Sequence, residues 1–421
     1  MTVHQPGLRA PTDRGGAPAA ARTSLASRHL TASGSSAISR MASAVARQRS
    51  RGRSVVGMHV GEPDFDTPDN VRAAAAAAIE AGDTHYTAFD GSPAMKSAVQ
   101  AKYARAGLSF EHDEIVVGAG AKLLLFAAFF ATLEPGDEVI VPAPYWGSYV
   151  DIIEMMLAVP VIVETAQEDG FLVRPEALEA AITERTRWVM VNSPSNPSGA
   201  VYERADYTAL LEVLARHEHV WLVADDMYEH IVYGDTTFVT PVQVRPDLRD
   251  RVLTVNGVSK AYAMTGWRIG YSTGPAALMR LVGSVLSQST SCASSVSQAA
   301  AIEALTGPQD AVLDYCRQYA ERRDLVLAEL ASIPGVRCAP PRGGFYAFVD
   351  WSAFRGARTR SGLLLGDDET FCRHLLEEFG LGTIPGSAFG ADGFVRLSFA
   401  CSSDAIVGGL GRLRAALAAL G

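Results

Sequence analysis

The stretch Val220-Trp221-Leu222-Val223-Ala224-Asp225-Asp226-Met227-Tyr228 decides the fold class, because five apolar residues lead directly into two carboxylates. A continuous apolar run of this length is typical of a strand buried on both faces of a parallel sheet. In open sheets of this kind, ligands bind at the carboxyl ends of the strands. A buried carboxylate needs a cationic partner or several hydrogen-bond donors. Asp225 is therefore a candidate site residue, with an ordinary helix cap as the alternative interpretation.

Similar runs flank this strand on both sides along the chain. We predict further strands at 114–117, 138–141, 159–163, 188–191 and 252–255. Helical patterns fall between and after them, at 122–132, 175–182, 207–217 and 309–330. An earlier helix is predicted at 71–81, with Thr67 as its cap and Pro68 in its first turn. The alternation predicts an α/β fold with a doubly wound, mostly parallel sheet.

The length and the later pattern indicate two domains. A chain of 421 residues exceeds one typical core. After Gly335 the pattern changes to strands at 344–349 and 394–399 and helices at 369–379 and 403–420, which is typical of a smaller α+β domain. We predict a large domain at 68–305, a small domain formed by 35–67 and 306–421, and a disordered N-terminal tail at 1–34.

Composition excludes several classes of protein. The formal net charge of −9 argues against binding of nucleic acid, which needs clustered Lys and Arg. The sequence has no uninterrupted apolar stretch of about 18 residues, so no membrane span is predicted. Its five cysteines lack CxxC spacing, which argues against a disulfide framework or a metal site. The N-terminal segment lacks the apolar region of a secretory signal, and we expect a cytoplasmic protein.

Three further polar clusters also follow predicted strands. Gly118-Ala119-Gly120-Ala121-Lys122 opens a helix, where backbone N–H groups can hold a phosphate; close packing of helix and strand is the equally weighted alternative. The turn Asn192-Ser193-Pro194-Ser195-Asn196-Pro197 projects Asn196, although most such turns are only structural. Lys260 follows the strand at 252–255, and Arg268 lies eight residues further on. A lone lysine would be a solvated charge.

Together these clusters supply a phosphate site, an acid, an amine nucleophile and an arginine. That combination suits a phosphorylated, pyridine-based carbonyl cofactor. Pyridoxal phosphate needs a lysine to form an imine, an anion opposite its ring nitrogen and a flat partner for its ring. The lysine amine must be neutral to attack, so we expect Lys260 to have a lowered pKa.

Three motifs carry a resemblance to a known family. They are Gly61-Glu62-Pro63-Asp64-Phe65, Asn196-Pro197-Ser198-Gly199 and Ser259-Lys260-Ala261-Tyr262-Ala263-Met264-Thr265-Gly266-Trp267-Arg268. Over 35–421 the chain resembles the class I and II aminotransferases with the aspartate aminotransferase fold, especially the bacterial aspartate/prephenate branch. The resemblance implies a fold-type I pyridoxal-phosphate enzyme with a seven-stranded sheet. It also implies amino-group transfer from an L-amino acid, aspartate or glutamate being favoured, to a 2-oxo acid such as 2-oxoglutarate.

The resemblance further implies roles for individual residues. Lys260 looks like the Schiff-base lysine and proton carrier, Asp225 like the partner of the ring nitrogen and Tyr228 like a donor to the cofactor phenolate. The other cofactor-binding residues that it implies are Gly120, Ala121, Lys122, Trp146, Asn196, Ser259, Arg268 and Tyr86. Tyr86 resembles a residue that reaches the phosphate across a dimer interface, so a homodimer with shared active sites is implied. A core tyrosine and a packed indole are the alternative interpretations of Tyr86 and Trp146.

Substrate contacts are implied in the same way. Arg396 resembles the arginine that grips the substrate α-carboxylate, with a surface ion pair as the alternative. Gly61 leaves room beside the substrate, and Lys122 resembles a reader of a distal carboxylate. Trp146 and Asn196 complete this set, together with Ile38, where members of the branch often carry threonine. Gly257 stands where some relatives have a phosphate-binding serine, and Ser259 compensates only partly.

Two other functions remain open from the sequence. Ile38 and His59 depart from the family pattern, which favours as an alternative a lyase, replacement or carbon–carbon bond-forming reaction on the same scaffold. Some transcription regulators reuse this fold behind a DNA-binding module. Only a short polar tail precedes the fold here, and the net charge is acidic, so that class ranks last.

Overall fold

The structure is a computed structural model that describes residues 27–30 and 37–420. Most of the predicted tail, 1–34, lies outside the described residues. Within it, Arg28–Leu30 form one turn of 3-10 helix, and the His29 ring lies 2.8 Å from the carbonyl oxygen of Met155. Among the described helices, none has the length and apolar character that a membrane-spanning segment requires.

The strands of the described residues belong to three sheets. Their bounds are β1 Val56–Gly57, β2 Ile115–Gly118, β3 Glu138–Ala143, β4 Val159–Glu164, β5 Thr186–Asn192, β6 Trp221–Asp225, β7 Val252–Gly257, β8 Gly270–Thr273, β9 Arg337–Cys338, β10 Tyr346–Asp350, β11 Leu381–Gly382, β12 Ile384–Pro385 and β13 Phe394–Ser398. Every strand predicted from an apolar run is present, with ends shifted by at most two residues.

The α-helices alternate with these strands through most of the chain. Their bounds are α1 Ala37–Ser50, α2 Asp69–Glu80, α3 Pro93–Arg105, α4 Ala121–Thr132, α5 Ser148–Met155, α6 Pro175–Ala181, α7 Arg204–Arg216, α8 Pro241–Val244, α9 Ala276–Ser289, α10 Ser295–Thr306, α11 Asp310–Ala331, α12 Asp368–Phe379 and α13 Ser403–Ala418. The sequence analysis did not predict α1, α3, α5, α8, α9 or α10.

The large sheet has seven strands in the order β2-β8-β7-β6-β5-β3-β4. All its neighbours pair in parallel except β8, which runs antiparallel to both β2 and β7. The predicted doubly wound, mostly parallel α/β sheet is therefore confirmed. No apolar run indicated β8, because Gly270-Tyr271-Ser272-Thr273 is short and mostly polar or small, yet all four residues are buried.

Helices cover both faces of the large sheet, and the two faces alternate along each strand. In β6, Leu222 packs into the core under α6 and α7, whereas Val223 packs into the core under α4, α5 and α9. Both side chains are at most 3% exposed. Burying an aliphatic side chain of this size contributes about 1.5–3 kcal/mol. This two-sided burial is the physical reason for the continuous apolar runs.

The two smaller sheets use strands only from 56–57 and 337–398. One is the antiparallel sheet β12-β13-β10-β9, and the other is the parallel pair β1-β11. Helices α11, α12 and α13 pack around a shared core that includes Phe345, Leu375 and Leu410. Pairing of Val56 with Leu381 joins the segment before residue 68 to the C-terminal region. This arrangement supports the proposed division into a large and a small domain.

The predicted cap of α2 is wrong. Helix α2 begins at Asp69 with Pro68 at the N-cap position, and no side chain caps it. The hydroxyl of Thr67 instead donates to the Ala263 carbonyl oxygen at 2.7 Å and accepts from Trp267 Nε1 at 2.9 Å. The Thr67 hydroxyl thus bonds to two residues that are distant in sequence, and it does not cap α2 as the local sequence pattern predicts.

Gly270 allows β8 to approach the beginning of α4. A Cβ at this position would lie 2.6 Å from the carbonyl carbon of Gly120 and still closer to the Ala121 nitrogen. We expect Gly270→Ala to push β8 from α4 and to lower the free energy of unfolding by about 1–3 kcal/mol. Denaturant titration followed by circular dichroism measures this loss. Gly266→Ala is the matched control, because its Cβ would meet no atom within 4 Å. Equal stability of the two variants would contradict the assigned role.

Candidate active site

A cavity of about 730 Å³ opens at the carboxyl ends of β5, β6 and β7 and extends to the small antiparallel sheet. Most predicted site residues line it, and they come from both ends of the chain. The lining includes Ile38, Gly61, Ala121, Lys122, Trp146, Asn196, Asp225, Tyr228, Ser259, Lys260, Arg268 and Arg396. The fold therefore brings together side chains that the sequence separates by hundreds of residues.

Lys260 lies just beyond the end of β7. Its Nζ donates to the carbonyl oxygen of Gly61 at 2.6 Å. Burial lowers the pKa of Lys260 to about 8. Glu62 and Asp225 oppose this lowering, whereas the charges of Arg396 and Arg268 add to it. A substantial neutral fraction of the amine at mildly alkaline pH follows, as we expected for a nucleophile and base.

Asp225 ends β6 and is 5% exposed. Its Oδ2 accepts a 2.5 Å hydrogen bond from the Tyr149 hydroxyl, and its Oδ1 accepts one from the Met227 nitrogen at 3.2 Å. Burial raises the pKa of Asp225, while these two donors and the charge of Lys260 lower it. The turn that follows is not an α-helix, so the helix-cap interpretation of this carboxylate is wrong.

Arg396 is a buried cation in the middle of β13, and its side chain faces the cavity. Its Nη1 donates to Asn196 Oδ1 and its Nη2 to the His59 carbonyl oxygen, both at 2.9 Å. The guanidinium also lies 4.5 Å from the ring centre of Tyr346. Each of these partners is neutral, and Nε is buried without a hydrogen-bond partner in the part of the chain that the structure describes. Arg396 is 1% exposed, so the surface-pair interpretation is wrong.

A buried cation surrounded by neutral groups is a binding site for an anion. Desolvation without a paired anion costs free energy, which shows as a lowered pKa of Arg396. A carboxylate that enters the cavity recovers that cost through two parallel N–H···O bonds, the geometry that guanidinium favours. The structure thus prepares Arg396 for an anionic ligand.

The second anion site of the cavity is the beginning of α4. Gly120 precedes this helix with φ of +94°, a conformation that favours glycine. A Cβ there would lie 3.0 Å from the guanidinium carbon of Arg268. Arg268 itself has a left-handed backbone, with φ of +58°. The free N–H groups of the first turn of α4, the Ser259 hydroxyl and Arg268 therefore surround one small space with positive potential.

Lys122 and Trp146 form one wall of the cavity. The Lys122 Nζ lies 4.5 Å from the centre of the Trp146 ring, a cation–π distance. Burial lowers the pKa of Lys122, Asp151 opposes that effect, and Arg268 adds to it. The ammonium therefore sits inside the cavity, close to a flat aromatic surface.

The sequence analysis did not identify three polar residues of the cavity as site residues. Tyr149 bonds to Asp225, and the Tyr346 hydroxyl lies 3.0 Å from that of Tyr228. Asn192 Nδ2 donates to the Asp225 carbonyl oxygen at 2.9 Å, and its Oδ1 accepts from the Asn196 nitrogen. Asn192 had a usable signal, because it ends the strand next to β6. Tyr149 and Tyr346 had none beyond their proximity to Trp146 and to a predicted strand.

Two predicted site residues do not line the cavity: Gly120, which directly precedes the lining residue Ala121, and Tyr86. The side chain of Tyr86 is 89% exposed on the single chain, so it is not a core tyrosine.

Comparison with known proteins identifies the family. The model of the family described as aminotransferase class I and II matches residues 53–410. The chain belongs to this family. The aspartate aminotransferase of Rhizobium meliloti is 51% identical to this aminotransferase over 388 residues, which cover 92% of the chain and 95% of the relative. The aspartate/prephenate aminotransferase of Cereibacter sphaeroides is 50% identical over 370 residues, with 88% and 92% coverage.

Solved structures agree with this assignment. The aspartate aminotransferase of Rhizobium meliloti superposes on the present aminotransferase with a TM-score of 0.91 at 49% identity, covering 97% of this chain and 100% of that one. The enzyme of Thermus thermophilus with maleate gives a TM-score of 0.86 at 39% identity, with 93% and 99% coverage. The chain is therefore an enzyme that transfers amino groups between amino acids and oxo acids, and these relatives give no support to the lyase alternative.

The contact between Tyr149 and Asp225 gives a test of the site. Tyr149→Phe removes one donor from a buried carboxylate, which raises the pKa of Asp225 further and disfavours its ionised form. We expect kcat of this aminotransferase to fall about 10-fold to 100-fold, because hydrogen bonds to charged groups contribute about 1.5–3 kcal/mol. Steady-state kinetics measure the change, and KM for the amino donor should change little. Tyr319→Phe is the control, since its buried hydroxyl has no hydrogen-bond partner among the described residues; an equal loss there would contradict the assignment.

Proposed function

We propose that this aminotransferase uses pyridoxal 5'-phosphate bound through Lys260, and that it moves the amino group of L-aspartate or L-glutamate to a 2-oxo acid such as 2-oxoglutarate. The observation that carries the proposal is the pair of Lys260 and Arg396 in one cavity, an amine of lowered pKa beside a buried guanidinium with only neutral partners. The amine of Lys260 suits covalent binding of a carbonyl, and the guanidinium of Arg396 suits binding of a carboxylate.

The residues present fit the cofactor. The first turn of α4 with Gly120 and Ala121, the Ser259 hydroxyl and Arg268 would hold the phosphate. A larger residue than glycine at 120 would fill this space. The ring would stack on Trp146, its nitrogen would face Asp225, and Tyr228 and Asn196 would bind its phenolate oxygen. When bound, the cofactor supplies an electrophilic carbonyl and an electron sink for the pair released at the amino-acid Cα.

The chain itself supplies the proton chemistry. Neutral Lys260 would accept the proton from the substrate Cα, and the resulting ammonium would return that proton to the cofactor carbon that carries the substrate nitrogen. Asp225 accepts hydrogen bonds from Tyr149 and the Met227 nitrogen, which favour its ionised form, and as a carboxylate it would keep the opposing ring nitrogen protonated. Gly61 leaves space for the substrate, because a Cβ there would lie 2.7 Å from the Tyr346 hydroxyl.

Two cations would divide recognition of the substrate. Arg396 binds the α-carboxylate, and Lys122, at the opposite wall beside Trp146, pairs with a distal carboxylate. The relative from Thermus thermophilus that was solved with maleate supports a dicarboxylate preference, since maleate carries two carboxylates. Ile38, in the first turn of α1, closes this side of the cavity with an apolar surface.

Two variants test the function and its specificity. Arg396→Lys loses the two-pronged contact, so KM should rise about 100-fold for both L-aspartate and L-alanine. Lys122→Met keeps the backbone at the phosphate site but loses the distal contact, so KM should rise about 10-fold for L-aspartate only. Coupled assays with 2-oxoglutarate measure both values. An equal effect of Lys122→Met on KM for the two donors would contradict binding of a distal carboxylate by Lys122. Absence of amino transfer from any common amino acid would contradict the proposed function.

We also propose a homodimer in which Tyr86 reaches the phosphate site of the partner subunit. Its ring is almost fully exposed on the single chain, and the large apolar side chains of Phe89, Phe130 and Leu281 are exposed as well. Exposed apolar groups of this size are typical of an interface.

Mixed dimers test this arrangement. Lys260→Ala removes the amine, and Tyr86→Phe removes the hydroxyl that serves the partner. A dimer with one chain of each kind has one intact site, made of Lys260 from one chain and Tyr86 from the other. Co-refolding the two poorly active variants should therefore restore about a quarter of the wild-type activity, because half of the dimers are mixed and each has one intact site of two. Activity that equals the mean of the separate variants would contradict the shared site.

A further inference from the structure

Glu62 connects the two loops that meet at Lys260. It follows Gly61, whose carbonyl oxygen accepts the hydrogen bond of the Lys260 amine. The Glu62 carboxylate accepts a hydrogen bond from the Thr265 hydroxyl. The carbonyl oxygen of Thr265 in turn accepts from Arg268 Nη1 at 2.9 Å. One carboxylate thus lies between the loop that holds the amine and the loop that carries the arginine of the phosphate site.

The loop after Gly61 has other attachments, so Glu62 is not its only support. Asp64 forms an ion pair with Arg322 at 2.7 Å. The Thr67 hydroxyl binds the Ala263 carbonyl oxygen at 2.7 Å. These contacts fix the loop against α11 and against the segment after Lys260. The contribution that distinguishes Glu62 is therefore its negative charge, one residue from the carbonyl that holds the amine.

We propose that Glu62 is a positioning residue that acts through Lys260, by keeping the amine basic enough to take up the proton released at the substrate Cα. The inference rests on the proposed function of Lys260. Glu62 would not contact the substrate, and its effect reaches the reaction only through the lysine.

Four charged groups face Lys260, and three of them acquire partners in the proposed reaction. Arg396 would pair with the substrate carboxylate, Arg268 with the cofactor phosphate and Asp225 with the ring nitrogen. Of these four groups, Glu62 is the one that acquires no ligand partner, and its carboxylate stays bound to the Thr265 hydroxyl. It is also the strongest of the charges that act on Lys260, and it opposes the lowering by burial.

The pH dependence of Lys260 labelling tests the proposal. The full chain, freed of cofactor, is acetylated with acetic anhydride over a pH series, and mass spectrometry of peptides gives the rate at Lys260. The wild-type midpoint should lie at about 8. Glu62→Gln keeps an oxygen that accepts from Thr265 but removes the charge, so the midpoint should fall by about 0.5 unit. A larger shift is not expected, because Glu62 is exposed and water screens its charge.

Two matched variants separate charge from position. Thr265→Val removes the hydroxyl but keeps the carboxylate, so the midpoint should stay at the wild-type value. Glu80→Gln removes an exposed carboxylate on α2 and should also leave it unchanged. In the cofactor-loaded Glu62→Gln enzyme, the acidic limb of the kcat profile should move to lower pH, because a less basic amine becomes neutral there. The plateau should fall as well, since the amine is a weaker base.

Three results would overturn the proposal. They are an unchanged midpoint in Glu62→Gln, an equal shift in Thr265→Val or an equal shift in Glu80→Gln. Failure of the proposed function has a different signature. Lys260→Ala would then retain cofactor-dependent amino transfer, whereas the labelling of Lys260 in the Glu62 variant would still report the charge effect.

Discussion

The structure depends on one constraint, the burial of a guanidinium without a paired anion. Arg396 is held by an amide oxygen, a carbonyl oxygen and aromatic rings, so its charge is solvated by dipoles alone. These partners come from the turn after β5, from the segment after β1, and from β10 and the turn before β13. Both the large and the small sheet must therefore be in place before the arginine can be buried. One wall of the cavity is thus formed where the two sheets meet around this side chain.

The same logic extends to the other charges of the cavity. Lys260 donates to a backbone carbonyl, and Asp225 accepts from a tyrosine and a backbone nitrogen. None of these ionisable groups is neutralised by direct pairing with another. A ligand that brings a phosphate, a ring nitrogen and a carboxylate would find complementary groups already oriented, so little reorganisation is needed on binding. Neutral partners thus keep the charged groups available for chemistry.

Much of this arrangement could be predicted from sequence, because it follows local rules. Buried parallel strands need continuous apolar runs, and polar residues at their ends meet at one edge of the sheet. Asp225, Asn196 and Lys260 were found in this way. Strand β8 was missed since its burial comes from its neighbours, not from its own residues. Thr67 was misassigned because its partners lie some two hundred residues away. Tyr346 was missed because its partner, Tyr228, is 118 residues away along the chain.

The pairing of β1 with β11 has a consequence for synthesis on the ribosome. Val56 lies in the first strand of the described residues, but its partner Leu381 is made near the end of the chain. The last strand of the large sheet along the chain ends at Thr273. This sheet can therefore form before β11, the partner of β1, has been synthesised. Lys260, Arg268 and the beginning of α4 are therefore synthesised well before Arg396. The cofactor that we propose could therefore bind before the chain leaves the ribosome, whereas binding of the amino acid would have to follow the last strands.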